Sequence, residues 1–179
     1  MNETFENLPV SLDTLPELPQ DNFNPIEKTY LKVSLISNGL FFLILLIGGI
    51  CLVYFNSDEI DKVLLAYGLA IGSVGILWLA NIIFVSKAFP KKKYALREKD
   101  IIYTKGLLWS TRTSIPFNRI QHVEIKQGPF ERVFKLNSLK VFTAGGQTSD
   151  LVIPGLSEDK ALQLKEFILG KTSSDGVDS

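Results

Sequence analysis

The side chains best suited to binding a ligand are cationic and lie in the second half of this 179-residue chain. A guanidinium group binds a phosphate or a carboxylate through two parallel hydrogen bonds. Clustered lysines at an anionic lipid surface each contribute about 1 kcal/mol of attraction. The candidate chemistry is therefore anion recognition, and the candidate binding residues are Lys91, Lys92, Lys93, Arg97, Arg112, Arg119 and Arg132.

Each of these candidates also has a purely structural interpretation. The lysines directly follow an apolar segment, where positive charge determines how a membrane helix is oriented. Arg119 and Arg132 have Glu124 and Glu131 close by in the sequence. A partly buried arginine usually has such an internal partner, either a carboxylate or a backbone carbonyl. The sequence leaves both interpretations open.

Catalysis and metal binding have little support in the sequence. His122 is the only histidine and Cys51 the only cysteine, and Cys51 lies within an apolar segment. A single cysteine excludes a disulfide-built scaffold and a cysteine-ligated metal site. Gly145-Gly146 is too short to cradle a phosphate and is interpreted as a hairpin turn. We therefore expect no enzyme activity, no catalytic residue, no bound metal and no cofactor.

Two long segments carry no charge. The first extends over 33–57 and the second over 63–86. A helix that crosses the hydrocarbon core of about 30 Å needs roughly 20 apolar residues, and both segments meet that length. A chain of this size has too little other material to cover two such helices as a soluble core. The sequence predicts a transmembrane hairpin over 30–89, with spans at about 33–56 and 63–86.

The charges that flank these spans predict how the hairpin is oriented. The connection 56–62 carries three acids and one lysine. At the opposite ends of the two spans, lysines precede the first span and follow the second. Lys and Arg near helix ends are retained in the cytoplasm. We expect a multi-pass protein of the plasma (inner) membrane with both termini in the cytoplasm. The flanking lysines are Lys28, Lys32, Lys87, Lys91, Lys92 and Lys93.

Small and polar residues within the spans suggest helix contacts. Gly68, Gly72 and Gly75 favour a close helix approach, either inside the hairpin or between copies of the protein. Asn38 and Asn81 are the polar exceptions and are placed to hydrogen-bond across the hairpin. Neither span contains an ionisable residue, whereas a proton pump or ion-coupled transporter normally needs one.

The first 29 residues form a predicted acidic, Pro-rich cytoplasmic tail. Residues 1–27 hold six acids, no base and four prolines. Such a segment is either extended or disordered. Its repeated Leu-Pro pairs also fit a docking peptide, and its charge would let it lie across a basic domain.

The segment that follows the second span is basic and has the pattern of a small β domain. From Lys87 to Lys140 there are thirteen Lys and Arg residues against four acids. Short apolar runs separated by turn residues predict an antiparallel sandwich or barrel. A final helix follows, with Ser157 as its cap, Ala161, Leu164 and Ile168 on one face, and Gly170 as its end.

This segment closely resembles the bacterial pleckstrin-homology-like domain of small membrane proteins. The resemblance rests on Ile115-Pro-x-x-Arg119-Ile120-Gln121-x-Val123, Gln127-Gly128-Pro129-x-x-Arg132, Thr143-Ala144-Gly145-Gly146 and Ile153-Pro154-Gly155-Leu156. Lys135 stands where the family pattern often has glycine. The resemblance implies a binding platform for lipid head groups, peptides or proteins. The predicted fold is α+β: the transmembrane hairpin, a pleckstrin-homology-like antiparallel β-barrel or sandwich over 90–170 capped by a C-terminal α-helix, and a disordered tail over 171–179.

Two functions compete on these observations. The first is an interaction module that assembles with itself or with another membrane protein. The second is a domain that senses anionic lipid through Lys91 to Lys93, Arg97 and Arg112. The net charge is zero, with 19 basic and 19 acidic residues, because a basic domain and an acidic tail offset each other. Nucleic acid is not an expected partner, because the basic excess lies next to the membrane and lacks an RNA-type aromatic motif.

Overall fold

Two long apolar helices open the fold. The computed structural model describes residues 22–56, 60–145 and 149–174. Helix α1 extends over Thr29–Asn56 and helix α2 over Ile60–Ala88. Their most apolar stretches contain no buried residue, so both helices present hydrophobic side chains outward as membrane helices do. The Asn38 Nδ2 donates a hydrogen bond to Asn81 Oδ1 at 3.1 Å, which confirms the predicted contact across the hairpin.

The glycines of α2 are not used where α1 and α2 meet. A Cβ added at Gly68, Gly72 or Gly75 would have no atom within 4 Å. The close approach instead involves Gly49, where an added Cβ would lie 4.0 Å from the Ala70 Cβ. The prediction that these three glycines bring the helices of one hairpin together is therefore wrong. A contact between copies stays a prediction.

The domain after the hairpin consists of two antiparallel sheets. A 3₁₀ turn at Phe89–Lys91 connects α2 to the first sheet. That sheet has the strand order β1-β2-β3-β4, and the second has the order β5-β6-β7. Among the described residues pairing stays within each sheet, so the predicted barrel or sandwich is a sandwich-like pair of sheets. The strands are β1 Asn24–Pro25, β2 Lys93–Leu96, β3 Asp100–Lys105, β4 Thr111–Pro116, β5 Ile120–Lys126, β6 Leu136–Thr143 and β7 Leu151–Ser157.

The connection between β5 and β6 contains a short helix that the sequence pattern did not indicate. Helix α3 extends over Pro129–Val133, so the Gly128-Pro129 pair begins a helix where only a turn was expected. Proline suits the first helical position because its fixed φ is already helical. Lys135 follows with φ 52°, the left-handed conformation that favours glycine. The tight turn of the family pattern is kept, although a lysine occupies it.

The C-terminal helix covers the sheets. Helix α4 extends over Glu158–Ser174, and Ala161, Leu164 and Ile168 are buried as predicted. The prediction that Gly170 ends this helix is wrong, because the helix continues for another turn. One glycine costs about 1 kcal/mol inside a helix, which does not break a helix already packed on the core. The Thr172 hydroxyl also donates to the Ile168 carbonyl there.

The predicted tail boundary at residue 29 is too late. Strand β1 pairs with β2, matching Asn24 with Tyr94. Ile26 is 3% exposed and belongs to the hydrophobic core. The segment before α1 is therefore part of the folded domain from residue 24 onward. The remaining acidic tail, residues 1–21, and residues 175–179 of the predicted C-terminal tail lie outside the described residues.

Candidate functional site: the hairpin-facing end of the domain

The strands of the domain run between two ends with different surroundings. We call the end next to the helices the proximal end; it contains the last residue of β3, the first of β4, and α3. The distal end contains the β2–β3 connection, the 3₁₀ turn Phe117–Arg119 and the β6–β7 connection. The seven residues of β5 separate the two ends by about 20 Å. Every candidate cation can be assigned to one end or to the strands between them.

A joint of close contacts connects the hairpin to the proximal end. The Glu27 N–H donates to the Gly155 carbonyl at 2.8 Å. Lys160 at the start of α4 donates to Glu27 Oε1 at 2.6 Å. That hydrogen bond raises the pKa of Lys160 above its ordinary value. Gly155 has φ +67°, and a Cβ added there would lie 2.6 Å from the Tyr30 Cβ. The first turn of α1 therefore rests directly on the backbone of β7.

A cavity of about 580 Å³ lies between the hairpin and the proximal end. Its volume is within the usual range for ligand sites, about 300–1,000 Å³. One part of the wall is apolar, including Phe84 and Val85 of α2. Another part is polar and includes Ser34 and Ser37 of α1 with two lysines. The cavity therefore combines apolar and cationic walls, as an amphiphilic ligand requires.

Of those two lysines, Lys92 comes directly before β2 and Lys105 is the last residue of the neighbouring β3. Strand register pairs Lys93 with Thr104, so the next residues toward the hairpin are Lys92 and Lys105. The Lys92 Nζ lies 4.9 Å from the centroid of the Tyr30 ring. Burial, and then the charge of Lys105, lower the pKa of Lys92. Like charges in this arrangement destabilise a sheet. No ion pair joins either lysine to a carboxylate within the described ranges.

Glu131 also lines this cavity, but its carboxylate has other partners. Its Oε2 accepts the Gly128 N–H at 2.8 Å. Its Oε1 accepts the Ser138 hydroxyl at 2.7 Å. These bonds hold the start of α3 against β6. Glu131 therefore shapes the cavity wall and does not pair with Lys92.

The proximal end also exposes large apolar side chains. Leu108 is 70% exposed and Trp109 is 83% exposed in the β3–β4 connection. Val133, at the end of α3, is 75% exposed. The loop lies beside the hairpin, because Leu107 and Trp109 line the same cavity as Phe84 and Val85. Exposed apolar residues next to cations are typical of surfaces that contact a membrane interface.

Two of the predicted binding residues, Arg97 and Arg119, lie at the distal end. The Arg97 Nε donates to Asp100 Oδ1 at 2.6 Å, and its Nη2 donates to the other carboxylate oxygen at 2.5 Å. The hydrogen bond from Arg97 holds the pKa of Asp100 below its ordinary value. Arg119 is exposed, and its carbonyl accepts the Ala144 N–H at 3.2 Å. Arg97 thus braces the β2–β3 connection, whereas Arg119 contributes its backbone to the fold.

The other five predicted residues lie at the proximal end. Arg112 lies 5.4 Å from the centroid of the Phe23 ring and pairs across the sheet with Thr104. Arg132 is exposed on α3, and the two oxygens of its neighbour Glu131 accept other donors. A pair between these two neighbours is therefore not the explanation for Arg132. The five are Lys91, Lys92, Lys93, Arg112 and Arg132.

Sequence reasoning missed the residues that complete the proximal end. Lys105 was interpreted as an ordinary strand residue, yet it faces Lys92 in the extended register. Leu108 and Trp109 were assigned to no function, although apolar residues in a turn between strands are a recognisable signal. The hydrogen-bonding role of Glu131 depends on α3, which was not predicted. Among the residues that the structure describes, no group of three or more His, Cys, Asp or Glu side chains is placed to hold a metal ion.

Fold and site together define a domain of two sheets and a covering helix, mounted on an apolar helical hairpin. The family model described as Bacterial PH domain matches residues 39–172. The chain belongs to this family. It is 31% identical over 113 residues to the UPF0699 transmembrane protein YdbS of Bacillus subtilis, a match that covers 59% of this chain and 69% of that protein. These matches and the two apolar helices make it a membrane protein.

Two further similarities are more distant. The UPF0699 transmembrane protein YdbT of Bacillus subtilis is 26% identical over 106 residues. That match covers 59% of this chain but only 21% of YdbT. A crystal structure of a DUF1696 family protein with a pleckstrin-homology domain, from Shewanella loihica, aligns over 45% of this chain and 70% of that one, with 17% identity and a TM-score of 0.35. The family assignment rests on the residues 39–172 match and on YdbS.

Proposed function

We propose that this protein spans the plasma (inner) membrane twice and keeps both termini in the cytoplasm. Its PH-like domain lies against the cytoplasmic leaflet and is a binding module for anionic lipid head groups. The single observation that carries this proposal is the proximal end, where Leu108, Trp109 and Val133 are exposed at the same end of the domain as Lys92 and Lys105. The orientation is supported by the lysines near Thr29 and Ala88 and by the acids in the opposite connection.

Helix length supports the same placement of the proximal end. Helix α1 has 28 residues and α2 has 29. At 1.5 Å per residue they are about 42 and 44 Å long, some 12 Å more than the hydrocarbon core. If the excess is at the domain end, the core begins about eight residues into α1, near Ser37. Ser37 lines the cavity together with Trp109. Trp109 then lies where the hydrocarbon meets the head groups, a depth that tryptophan favours.

Collisional quenching from within the lipid tests this placement. In the full chain carrying W78F, Trp109 becomes the only tryptophan. We expect lipids brominated near the glycerol end of the acyl chain to quench Trp109, and phosphatidylglycerol vesicles to quench it more than phosphatidylcholine vesicles at moderate salt. The matched control is a W78F/W109F/H122W chain, because His122 is exposed on β5 toward the distal end. Equal quenching of both chains, or none of Trp109, would contradict the proposal.

Assembly with itself or with another membrane protein is the second candidate function. It is supported by an apolar groove of about 260 Å³ between the helices, lined by residues that include Gly39, Gly75 and Trp78. Gly68 and Gly72 also have open space beside them. Crosslinking of the full chain in native membranes should give a discrete larger species that G72L weakens and G170L leaves unchanged. Recovery of monomer alone would contradict the assembly function. We expect no nucleic-acid partner in either case, because the proximal cations face the membrane.

A further inference from the structure

The proximal end contains a charge arrangement that the fold itself leaves unfavourable. Lys92, directly before β2, and Lys105, the last residue of β3, occupy facing positions in the extended register of the two strands and line the same cavity. Lys92 is half-buried there, whereas Lys105 is exposed. Cross-strand ion pairs of opposite sign stabilise a sheet, whereas like charges destabilise it. Such a pair persists at low cost when an anion lies between the two cations.

Two carboxylates at the same end of the domain, Glu131 and Glu27, have other partners. Glu131 accepts the Gly128 N–H and the Ser138 hydroxyl. Glu27 accepts from Lys160 on the other side of the joint. The protein therefore does not neutralise Lys92 and Lys105 with its own side chains among the described residues. An anionic ligand bound beside them would supply that negative charge.

The apolar part of the cavity indicates what else this ligand contains. Phe84 and Val85 of α2 form one side of the cavity, and these residues continue directly into the membrane span. Trp109 lines it from the β3–β4 connection. A free phosphate would leave these surfaces uncovered. A phospholipid would place its phosphate near the lysines and its glycerol and upper acyl chain against the helices.

We propose that the cavity between the hairpin and the domain binds one anionic phospholipid, with its phosphate between Lys92 and Lys105. This goes further than attraction of the whole surface to lipid, and it rests on the proposed placement of the domain at the leaflet. The phosphate accepts hydrogen bonds from both ammonium groups. Ser34, Ser37 and Thr111 also line the cavity and supply hydroxyl groups for the glycerol and the head group.

Native mass spectrometry of the full chain, released from a neutral detergent, tests the site. Added phosphatidylglycerol should be retained at one molecule per chain and in preference to phosphatidylcholine. Loss of one hydrogen bond to a charged group should lower the affinity about tenfold in K92Q and in K105Q. The matched controls K91Q and K93Q remove the same charge from neighbouring exposed residues. They should change the affinity by no more than about twofold.

The Lys105 variant shows whether a loss of lipid binding could result from a loss of folding. Lys92 contacts the Tyr30 ring, so K92Q also removes a packing contact. Lys105 is exposed at the end of β3, and K105Q removes one of two like charges, so it should not lower the thermal unfolding temperature. Equal weakening by all four lysine variants would overturn the site, while the quenching of Trp109 would still support the surface. Saturation by inorganic phosphate at the affinity of phosphatidylglycerol would overturn the assignment to a lipid.

Discussion

The two ends of the domain use the same residue types in opposite ways. At the distal end, Arg97 is paired with Asp100, and the Ser114 hydroxyl donates to the same carboxylate. There the Asp150 Oδ2 also accepts both the backbone N–H and the hydroxyl of Thr143 at 2.8 Å. At the proximal end, Lys92 faces another lysine, and large apolar side chains are exposed. At the distal end Arg97 has a carboxylate partner, whereas Lys92 and Lys105 at the proximal end have none among the described residues.

This difference shows that the number of cations is a poor guide to a binding site. Arg97 and Lys92 both looked like anion-binding residues in the sequence. Only the partners supplied by the fold separate them, because a cation whose carboxylate partner is already in place has little free energy to gain from a ligand. The following predictions test whether the two ends are as distinct as their contacts indicate.

The largest expected effect is at the joint that fixes the proximal end to the hairpin. G155A places a Cβ against the Cβ and Cγ of Tyr30, at 2.6 and 2.7 Å, so the first turn of α1 must move. Together with the positive φ, this should lower the free energy of unfolding by about 2–4 kcal/mol. Thermal unfolding of the purified full chain in detergent measures the change.

Gly145 provides the control for that substitution. Its φ is +96°, but an added Cβ would contact nothing within 4 Å. G145A should therefore cost only the backbone strain, about 1 kcal/mol. Equal losses in G155A and G145A would mean that the contact between Tyr30 and Gly155 does not hold the domain to the hairpin.

A smaller effect should distinguish the two distal arginines. R97Q removes the pair with Asp100 and should cost about 0.5–1 kcal/mol at pH 6. R119Q removes an exposed side chain without an ion pair in the part of the chain described, and should cost less than about 0.3 kcal/mol. Neither variant should change phosphatidylglycerol binding. A loss of binding in R119Q would show that the distal end also binds lipid.

The pH dependence of stability should differ between the wild-type chain and R97Q in a predictable direction. The folded pKa of Asp100 lies below its ordinary value, so its contribution to stability is complete above about pH 4. That contribution is lost as the pH falls through the folded pKa. The wild-type chain should therefore lose more stability than R97Q between pH 5 and pH 2.5. Parallel pH profiles would contradict the role assigned to this pair.

An effect similar in size to that of R97Q separates stability from binding at the proximal end. Lys135 has φ 52°, which costs an L-residue about 1–2 kcal/mol, part of which glycine recovers. K135G should raise the free energy of unfolding by about 0.5–1 kcal/mol while it removes one proximal cation. Vesicle binding should weaken slightly, so that stability and affinity change in opposite directions. If K135G neither gains stability nor weakens vesicle binding, Lys135 neither strains the backbone nor contributes to lipid binding.

Much of the architecture follows from patterns that local physics controls. The spans could be predicted because a helix in lipid needs a long apolar run whatever surrounds it. The buried face of α4 could be predicted because the spacing of apolar residues identifies the side that is buried. The glycine inside α4, Gly170, was predicted to end that helix, and the short helix α3 was not predicted. In both places local propensity is weak enough for neighbouring packing to decide.

The candidate site could be predicted only in part, for a different reason. Lys92 was identified from the lysine run, but Lys105 lies thirteen positions later and faces it only through the register of β2 and β3. The burial of Ile26 likewise depends on a two-residue strand that no periodicity can detect. Distances between residues far apart in the sequence are set by how the sheets pair and pack.

The sequence by itself predicted a membrane hairpin and a basic β domain, because composition and periodicity are properties of single segments, and its motifs carried the resemblance to PH-like domains. Only the tertiary structure decided which cations have a carboxylate partner among the described residues. In the folded chain Lys160 donates a hydrogen bond to Glu27, and Tyr30 packs on Gly155. Lys92 and Lys105 face each other. Hydrogen bonds and ion pairs need their partners within about 3–4 Å, and only the folded chain sets those distances.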